Sequence, residues 1–489
     1  MNTQFLILPV LIPMIAGICI YFIPFRNSRS RDAFTAAAVI ANSLVILLLI
    51  LTHPEGSLTL LRLTESIPLT LKLDGLGVVF LALIGFLWPL ASFYAFEYME
   101  QEHKLPQFFA FYTMSYGVTA GVALSANLFT MYFFYELLTL VTVPLVAHEG
   151  DRRSMSAAKK YILYSIGGAA LSFAGIMMLF TRTGCAEYAF GGAGESFAGD
   201  SYLLIAYILT FAGFGVKAAI FPLHAWLPAA GVAPTPVTAL LHAVAVVKSG
   251  VFACIRSTFY AFGPALLAGT WAQHTAILVS SFTIIFGSAM AYREQHLKRR
   301  LAYSTVSNLS YILFGMALMT TGGLVAALSH MLFHGIMKIT LFFCAGTVLC
   351  KTGREYVPQT EGLGRKMPLT FLTFLISGLA LTGAPLLPGF ISKMNLINAA
   401  AEAEYSGYAM FGIIALLISA LLTAAYLLPM SVRAFIVREG VQPEFTEKDK
   451  DPGMRMLIPF AILCVVMVIF GFSASPLMAA LERLIAGGM

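Results

Sequence analysis

The stretch FPLHAWLPAAGVAPTP, residues 221–236, decides the fold, because prolines interrupt a segment that is otherwise apolar enough to cross a membrane. These are Pro222, Pro228, Pro234 and Pro236. Proline lacks the backbone donor of a helix interior and clashes with the preceding turn, so we expect a broken helix here. A break at membrane depth is tolerated only where it is covered by protein or lines a water-filled cavity.

A second interruption has the same character. The sequence GAPLLPGF, residues 383–390, places Pro385 and Pro388 inside another apolar span. Two proline-interrupted spans in corresponding halves of a chain indicate inverted repeats with ion sites at the breaks. The candidate repeats are residues 108–255 and 272–430. Two ordinary proline kinks are the alternative interpretation.

The composition around these breaks is that of a membrane protein. The chain has 489 residues, of which 59% are hydrophobic and 11% charged, whereas soluble domains carry about 25% charged residues. We therefore predict one all-α integral membrane domain, residues 1–489, with about fourteen transmembrane helices. The predicted spans are 4–24, 33–52, 75–96, 108–125, 127–147, 158–180, 202–221, 234–255, 272–291, 301–319, 322–349, 369–398, 407–430 and 456–480. Helices 7 and 12 are the broken ones.

The basic residues predict the orientation. With both termini outside, most of the 30 Lys and Arg residues fall in inside loops, as the positive-inside rule requires. The outside segments hold only Arg62, Lys72, Arg182, Arg256 and Arg483. The net charge of +6 thus follows topology and gives no indication of nucleic-acid binding. We expect a multi-pass protein of the cell inner membrane, whose first apolar stretch is retained as a helix.

Five ionisable side chains lie inside predicted spans: Glu136, Lys217, Lys248, Lys338 and Lys393. A charge at the bilayer centre costs about 2.5–3.5 kcal/mol on the insertion scale. Such residues therefore pair, face water or move ions, and the pattern favours ion translocation. Glu136 is the only deep acid, so its expected partner is a buried lysine. Opening that pair would release a proton from the lysine, because burial disfavours the charged form. A purely structural ion pair is the alternative.

The eleventh predicted span contains a polar stripe. His330, His334 and Lys338 recur at intervals of four residues, which puts them on one helix face about 6 Å apart. Histidines exchange protons near neutral pH, so the stripe predicts a proton relay, with satisfied structural side chains as the alternative. His242 and Lys248 share the eighth span and point to different faces, so that helix would connect two neighbours.

His224, in the first break, has two interpretations that the sequence leaves open. It either hydrogen-bonds freed backbone carbonyls or carries protons.

Several of these segments together resemble one family. They are PLHAWLPAAGVAPTPVTALLHAVAVVKSGVF (222–252), LKRRLAYSTVSNLSYILFG (297–315), SHMLFHGIMKITLFFCAGTV (329–348) and EGLGRKMPLTFLTFLISGLALTGAPLLPGFISK (361–393). They are similar to the antiporter-like subunits of respiratory complex I, of Mrp-type Na+/H+ antiporters and of membrane-bound energy-converting hydrogenases. The resemblance implies fourteen helices with two inverted five-helix repeats. Gly231 departs from the pattern, since many members have a histidine there.

The resemblance also implies roles for the polar residues. Glu136 matches the fifth-helix glutamate, Lys217 its seventh-helix partner and Lys248 the connecting eighth-helix lysine. His242 resembles the eighth-helix histidine of the larger subunit type. His330, His334 and Lys338 match the eleventh-helix relay, and Lys393 the terminal lysine of the twelfth. The implied mechanism is lateral proton movement that starts when a neighbouring subunit perturbs the Glu136–Lys217 pair.

The leading hypothesis is a proton-translocating subunit of a redox-driven membrane complex, either NADH dehydrogenase-like or hydrogenase-like. The sequence contains no redox site, so we expect no cofactor in this chain, and iron–sulfur, flavin or nickel only in partner subunits. The expected partners are other antiporter-like membrane subunits, a peripheral redox arm and lipid. The alternatives are a subunit of an Mrp-type secondary Na+/H+ antiporter and an inert scaffold whose charges only hold helices together.

Overall fold

The computed structural model describes residues 3–65, 67–185, 187–193, 197–403, 406–440 and 443–486. Within these residues the chain is nearly all-helical. The α-helices are α1 (Leu8–Phe22), α2 (Ser28–Thr52), α3 (Gly75–Tyr98), α4 (Leu105–Ala123), α5 (Leu128–Val146), α6 (Arg152–Thr183), α7 (Ser201–Lys217), α8 (Trp226–Ala229), α9 (Thr235–Ala243), α10 (Val246–Arg256), α11 (Pro264–Leu267), α12 (Trp271–Arg293), α13 (Leu297–Ala317), α14 (Thr321–Thr352), α15 (Pro368–Thr382), α16 (Pro388–Ala401), α17 (Ser406–Phe435), α18 (Met454–Phe472) and α19 (Ser475–Ala486). Two strands, β1 (Ser57–Thr64) and β2 (Ile67–Lys72), pair antiparallel.

Polar side chains fix where several helices begin. Asn27, Asp74, Asn127 and Asp151 each accept a hydrogen bond from a backbone N–H in the first turn of α2, α3, α5 and α6. Such caps satisfy donors that have no partner within the helix. Thr320 caps α14 in the same way. The long apolar helices thus start at defined positions, although their interiors show little separation of polar and apolar faces.

The core of the bundle is formed by the segments that carry the predicted polar axis. The most apolar stretch of residues 235–262 is completely buried, and 89% of the corresponding stretch of α14 is buried. By contrast, only 28% is buried in α2 and in α18. In the described part of the chain, ten helices are long and apolar enough to cross a membrane. The protein is therefore a multi-span integral membrane protein, and Lys217, Lys248 and Lys338 are completely buried inside it.

Both predicted breaks are present. The helix α7 ends at Lys217 and the chain resumes helical structure at α8 and then α9, while α15 and α16 are separated by residues 383–387. Each break holds a non-glycine residue in the left-handed region, Ala219 at φ 56° and Leu386 at φ 67°. That conformation costs about 1–2 kcal/mol, so the surrounding packing must impose it.

The eighth span differs from its prediction as one helix over 234–255. It consists of α9 and α10, and Val244 and Ala245 leave helical geometry between them. The amides of Val244 and Ala245 both donate to the carbonyl of Leu240. A π-helix then extends the segment over Ser257–Phe262. Because the sequence AVAVV has no proline or glycine, local propensity gives no sign of this break.

The polar segment 53–74 is more than a connecting loop. Strands β1 and β2 form a hairpin that attaches to the α4–α5 connection, where the Ala126 amide donates to the Thr70 carbonyl at 3.0 Å and the Lys72 amide to the Leu124 carbonyl at 2.8 Å. The alternation of threonine and leucine in SLTLLRLT is the signal for a strand. The sequence pattern predicted only helices, and this β-hairpin is the element that it did not predict.

Candidate proton-translocation site

The axis begins at an ion pair between α5 and α7. The Nζ of Lys217 lies 3.6 Å from Oε1 of Glu136 and 3.4 Å from the centroid of the Tyr135 ring. It also donates a hydrogen bond to the Tyr135 carbonyl. The Lys217 side chain is 1% exposed, whereas that of Glu136 is 26% exposed. One end of the pair is therefore sealed in the core, and the other reaches the outer surface of the chain.

The first break holds Lys217 through its backbone. Trp226 Nε1 donates to the Val216 carbonyl at 2.7 Å, and the Ala219 amide donates to the same carbonyl at 3.0 Å. Gly250 lets α10 pack directly on this point, since a Cβ there would meet the Ala218 nitrogen at 2.4 Å. The residue type at 250 thus brings α10, and Lys248 with it, against the end of α7.

His224 does not take up a freed carbonyl. Among the described residues its Nδ1 has no hydrogen-bond partner, and its ring packs between Phe221 and Phe286, with centroids at 5.7 and 4.8 Å. The indole of Trp226 is the side chain that donates a hydrogen bond to a carbonyl at this break. Of the two interpretations that the sequence left open for His224, the first is therefore wrong.

The centre of the axis is a direct contact between α10 and α14. The Nζ of Lys248 lies 2.7 Å from Nδ1 of His334, and both residues are completely buried. The break between α9 and α10 sets the direction of α10, so Lys248 meets the α14 stripe and does not continue along the face of His242. Within the described residues, His334 Nε2 has no hydrogen-bond partner. One ring nitrogen therefore faces a proton donor, and the other is free to pass a proton on.

The stripe continues along α14 toward the second break. The rings of His330 and His334 lie 5.9 Å apart between centroids. His330 Nδ1 is 2.9 Å from Oγ of Ser392 on α16, and its ring stacks on Tyr311 at 5.1 Å. Tyr311 in turn lies under the Nζ of Lys393, 5.4 Å from its ring centroid. These contacts join the α14 histidines to Lys393 within one buried cluster.

Buried lysines are stabilised by backbone carbonyls. Lys393 Nζ donates to the carbonyls of Leu381 and Thr382 at 2.7 and 2.9 Å, which are the last carbonyls of the half-helix α15. The C-terminal end of a helix carries partial negative charge and favours a cation. Lys338 Nζ donates to the Leu301 carbonyl at 2.9 Å. At the second break backbone carbonyls stabilise the buried Lys393, whereas at the first break the carboxylate of Glu136 pairs with Lys217.

His242 is the predicted site residue with the fewest polar contacts. It is completely buried, and neither ring nitrogen has a hydrogen-bond partner among the described residues. Its ring lies against Phe342 on α14, with centroids 4.8 Å apart. A buried imidazole without hydrogen-bond partners is costly, so the described contacts do not offset the burial of His242.

Four basic residues assigned to loops are buried instead: Arg31, Arg256, Lys298 and Arg300. Arg256, predicted in an outside loop, is completely buried and paired with Asp74, to which its Nη2 donates at 2.9 Å. The rings of Tyr188, Phe252 and Tyr260 surround this guanidinium at 4.9 to 5.2 Å. The only sequence signal for this pair is that Asp74 lies at the start of one apolar span and Arg256 at the end of another.

Lys298 and Arg300 are each 6% exposed at the start of α13, and Arg31 on α2 is buried to the same degree. Lys298 Nζ donates to the Ala233 carbonyl at 2.8 Å and lines a cavity of about 500 Å³ that also contains Glu102, Glu149 and Glu355. Burial raises the pKa of Glu102, and the charge of Glu149 raises it further. Arg153 and Arg299 also line this cavity, and it reaches residues 231–234 of the first break.

No group of three His, Cys, Asp or Glu side chains comes together as a metal site in the described part of the chain. The polar groups of the axis are instead suited to passing protons, since lysine ammonium groups donate and neutral imidazoles both accept and donate. Contacts join Lys248 to His334, His334 to His330, and His330 through Tyr311 to Lys393.

A helical membrane bundle with two broken helices and a buried lysine at each defines the structural class of the chain. The chain belongs to the family described as "NADH:quinone oxidoreductase/Mrp antiporter, TM", whose model matches residues 125–423. A second model, "NADH-Ubiquinone oxidoreductase (complex I), chain 5 N-terminus", matches residues 63–109. The suspected antiporter-like subunit family is thereby confirmed.

Three known proteins illustrate the similarity. The NADH-quinone oxidoreductase subunit N of Desulforudis audaxviator is 31% identical over 82% of this chain and 81% of its own. A protein of Rhizobium meliloti, described as a probable K(+)/H(+) antiporter subunit, is 32% identical over 80% of this chain, but this covers only 39% of that protein. A chain of the membrane-bound sulfane sulfur reductase, an archaeal respiratory membrane complex, shares the fold with a TM-score of 0.86, 22% identity and coverage of 99% and 97%.

Proposed function

We propose that the chain is a proton-translocating, antiporter-like subunit of a redox-driven membrane complex, either NADH dehydrogenase-like or energy-converting hydrogenase-like. The observation that carries this proposal is the Lys248–His334 contact of 2.7 Å at the middle of a buried file of ionisable groups. The similarity to a NADH-quinone oxidoreductase subunit over four-fifths of both chains supports the redox-driven assignment. Proton translocation is a function that such a file can perform without a cofactor of its own.

The Glu136–Lys217 pair is the control point of the proposed mechanism. The pair stabilises the ammonium of Lys217 in the core, where burial alone would favour its neutral form. Because Glu136 is partly exposed at the surface of the chain, a charge on a neighbouring subunit can compete for its carboxylate. When the carboxylate is drawn away, Lys217 releases a proton toward the interior.

The middle of the file passes the proton between helices. Lys248 donates through Nζ–H to Nδ1 of His334, and the imidazole releases a proton from Nε2, which has no partner of its own in the described residues. His330 is the next base, and its Nδ1 contacts Ser392 Oγ beside Lys393. Water completes the steps that direct contacts do not bridge, including those around His242 and Lys338.

Lys393 is the terminal group of the file. The carbonyls of Leu381 and Thr382 hold its ammonium at the end of α15. A proton that arrives from the histidines is therefore stored at the second break until it leaves on the other side of the membrane. The repeats 108–255 and 272–430, each with one proline-containing break and a lysine beside that break, would give the two halves related geometries.

The setting of the subunit follows from the same proposal. We place it in the cell inner membrane with both termini outside, because the loops at one end of the bundle hold most of the basic residues. Its partners are other antiporter-like membrane subunits and a peripheral redox arm. Iron–sulfur, flavin or nickel groups belong to those partners, and this chain contributes only protonatable side chains.

Membership of an Mrp-type multisubunit Na+/H+ antiporter is the second candidate. It is favoured by the similarity to the Rhizobium meliloti antiporter protein, of which this chain spans 39%. Sodium requires several oxygen ligands, and Glu136 is the only carboxylate of the proposed file. A sodium site would therefore have to be completed elsewhere in such an assembly, while this chain would still carry the protons.

The two candidates differ in what accompanies the chain. We would extract the complex from its native membrane in mild detergent, identify the co-purifying chains and assay iron, nickel and flavin. Stoichiometric iron–sulfur partners are the expected result, with nickel marking a hydrogenase-like complex. A complex of membrane subunits alone, free of metal and flavin, would contradict the redox-driven assignment and support the secondary antiporter.

A further inference from the structure

A basic cleft lies at the end of the bundle that carries most Lys and Arg residues, between the first turns of α6 and α13. It encloses about 610 Å³. Its charged lining residues are Arg152, Arg153, Lys160, Arg299 and Glu355. Four cations therefore face one carboxylate, and the proposed proton file uses none of these groups. The cleft carries a strong excess of positive charge for which the function above gives no reason.

Among the residues that the structure describes, two of the cations have no anionic partner. The side chain of Arg299 lies 3.4 Å from that of Glu294. Arg153 interacts electrostatically with the neighbouring Asp151. Arg152 and Lys160, in contrast, form no ion pair in the part of the chain that the structure describes. An anion in the cleft would provide the charge partner that these two side chains lack.

The cleft lies at the depth of lipid headgroups. The helix α6 has 32 residues and is about 48 Å long, which exceeds the hydrocarbon thickness of about 30 Å. Its first turns therefore project into the headgroup region. Lys160 is followed on the same helix by Leu163 and Ile166, which are 71% and 58% exposed. The change from exposed cations to exposed apolar side chains marks the boundary between headgroups and acyl chains.

The floor of the cleft continues into an apolar surface suited to acyl chains. Tyr303 lines the cleft and lies 6.4 Å from the ring of His224, which packs on Phe286 and Phe221. Phe282, next to Phe221, is 52% exposed. The broken seventh helix thus reaches the outer surface between α6 and α12 as an aromatic patch directly beside the cations.

We propose that this cleft binds the phosphate headgroup of an anionic phospholipid, with Arg152 and Lys160 as its charge partners and the acyl chains lying on the aromatic patch. Basic pockets between transmembrane helices are typical sites for anionic headgroups. The continuous exposed apolar surface below the cations favours a lipid over an acidic segment of a partner protein, which would leave that surface uncovered. Bound there, the lipid would cover the outer side of the first break.

The test measures retained lipid on the chain as it is isolated with its native partners. The complex is placed in nanodiscs of one part phosphatidylglycerol to nine parts phosphatidylcholine, re-extracted, washed, and analysed for bound lipid by mass spectrometry. The variant Arg152→Gln/Lys160→Gln is compared with Lys448→Gln/Lys450→Gln, which removes the same charge from exposed lysines elsewhere. Titration of the protein with inorganic phosphate in a separate arm distinguishes a lipid from a free anion.

We expect retained phosphatidylglycerol to exceed its one-tenth share severalfold in the parent and in the Lys448/Lys450 control, and to fall to that share in the cleft variant. Lys160→Arg should keep the enrichment. Retention without a preference for phosphatidylglycerol, or equal loss in both double variants, would overturn the proposal. Binding of inorganic phosphate without lipid enrichment would overturn the proposal and make the ligand a free anion. A cross-link from Lys160 to a carboxylate of another subunit would overturn it and make the ligand an acidic segment of a partner. None of these results bears on proton translocation, so the two proposals fail separately.

Discussion

Lys248 on α10 and His334 on α14 are joined by a contact of 2.7 Å between Nζ and Nδ1, and both side chains are completely buried. No carboxylate belongs to this contact. An ammonium and an imidazolium cannot both be stable there, because two buried like charges disfavour each other. The contact therefore holds at most one positive charge, which is what the proposed transfer of a proton from Lys248 to His334 requires.

The first prediction separates proton transfer at Lys248 from a structural charge. Arginine keeps a positive charge but does not release its proton in proteins. We expect both Lys248→Arg and Lys248→Met to lower proton translocation by about tenfold or more, measured as dye-detected proton uptake in proteoliposomes at a fixed driving force. The exposed Lys448→Met is the control and should leave uptake unchanged. Full uptake in Lys248→Arg, with loss only in Lys248→Met, would show that the charge alone matters.

The second prediction concerns the carboxylate of Glu136. Glu136→Gln removes the charge that holds Lys217 protonated, so coupled translocation should be lost while the protein still assembles. Glu136→Asp keeps the carboxylate but withdraws it by one methylene from a partner already 3.6 Å away, and it should retain an intermediate rate. Glu447→Gln, at an exposed position, is the matched control. Equal translocation in Glu136→Gln and the parent would contradict the role of the pair.

The third prediction concerns the backbone of the first break. Trp226→Phe removes the donor of the 2.7 Å hydrogen bond to the Val216 carbonyl, which keeps only the Ala219 amide as its donor at 3.0 Å, at a cost of about 0.5–1.5 kcal/mol. We expect a lower thermal unfolding midpoint in detergent and slower translocation, since Val216 precedes Lys217. Trp271→Phe, at a side chain that is 48% exposed, should change neither. A midpoint for Trp226→Phe equal to that of the control would exclude this anchoring role.

The fourth prediction compares two ion pairs of unequal burial. Asp74→Asn leaves the completely buried guanidinium of Arg256 uncompensated, and breaking a buried pair costs about 3–5 kcal/mol. Asp200→Asn breaks the pair with Arg182, whose side chain is 56% exposed, and such pairs contribute about 0–1 kcal/mol. Thermal unfolding should therefore show a large loss for Asp74→Asn and a small one for Asp200→Asn. Similar losses would mean that the Asp74–Arg256 pair is not a structural anchor.

The breaks and the buried charges were predictable because each has a strong local signal. Proline is costly in a helix interior, and the clusters of prolines in 221–236 and 383–390 predicted breaks there, whereas five single prolines lie inside helices: Pro13, Pro89, Pro144, Pro429 and Pro459. A lysine in an apolar span is costly wherever the helix packs, so Lys217, Lys248, Lys338 and Lys393 were identifiable without a fold. The regular spacing of His330, His334 and Lys338 likewise fixed their common face.

Tertiary contacts determine what the sequence could not show. The break at Val244 and Ala245 has no proline or glycine, and it arises where α9 and α10 must both pack in the completely buried core. The burial of Arg256 and Lys298 depends on partners far along the chain, Asp74 and the Ala233 carbonyl. A topology rule that counts basic residues in loops assigns such side chains to water.

The most direct test of the central claim is the number of protons moved per turnover of the driving reaction in Lys217→Ala, measured beside the exposed Lys448→Ala. If the buried axis carries the protons, Lys217→Ala loses coupled translocation while the driving reaction in the partner subunits partly survives, and the control keeps both. A parent-like proton yield in Lys217→Ala, or in the double variant Glu136→Gln/Lys217→Met, would instead make these charges a scaffold that only locks helices together.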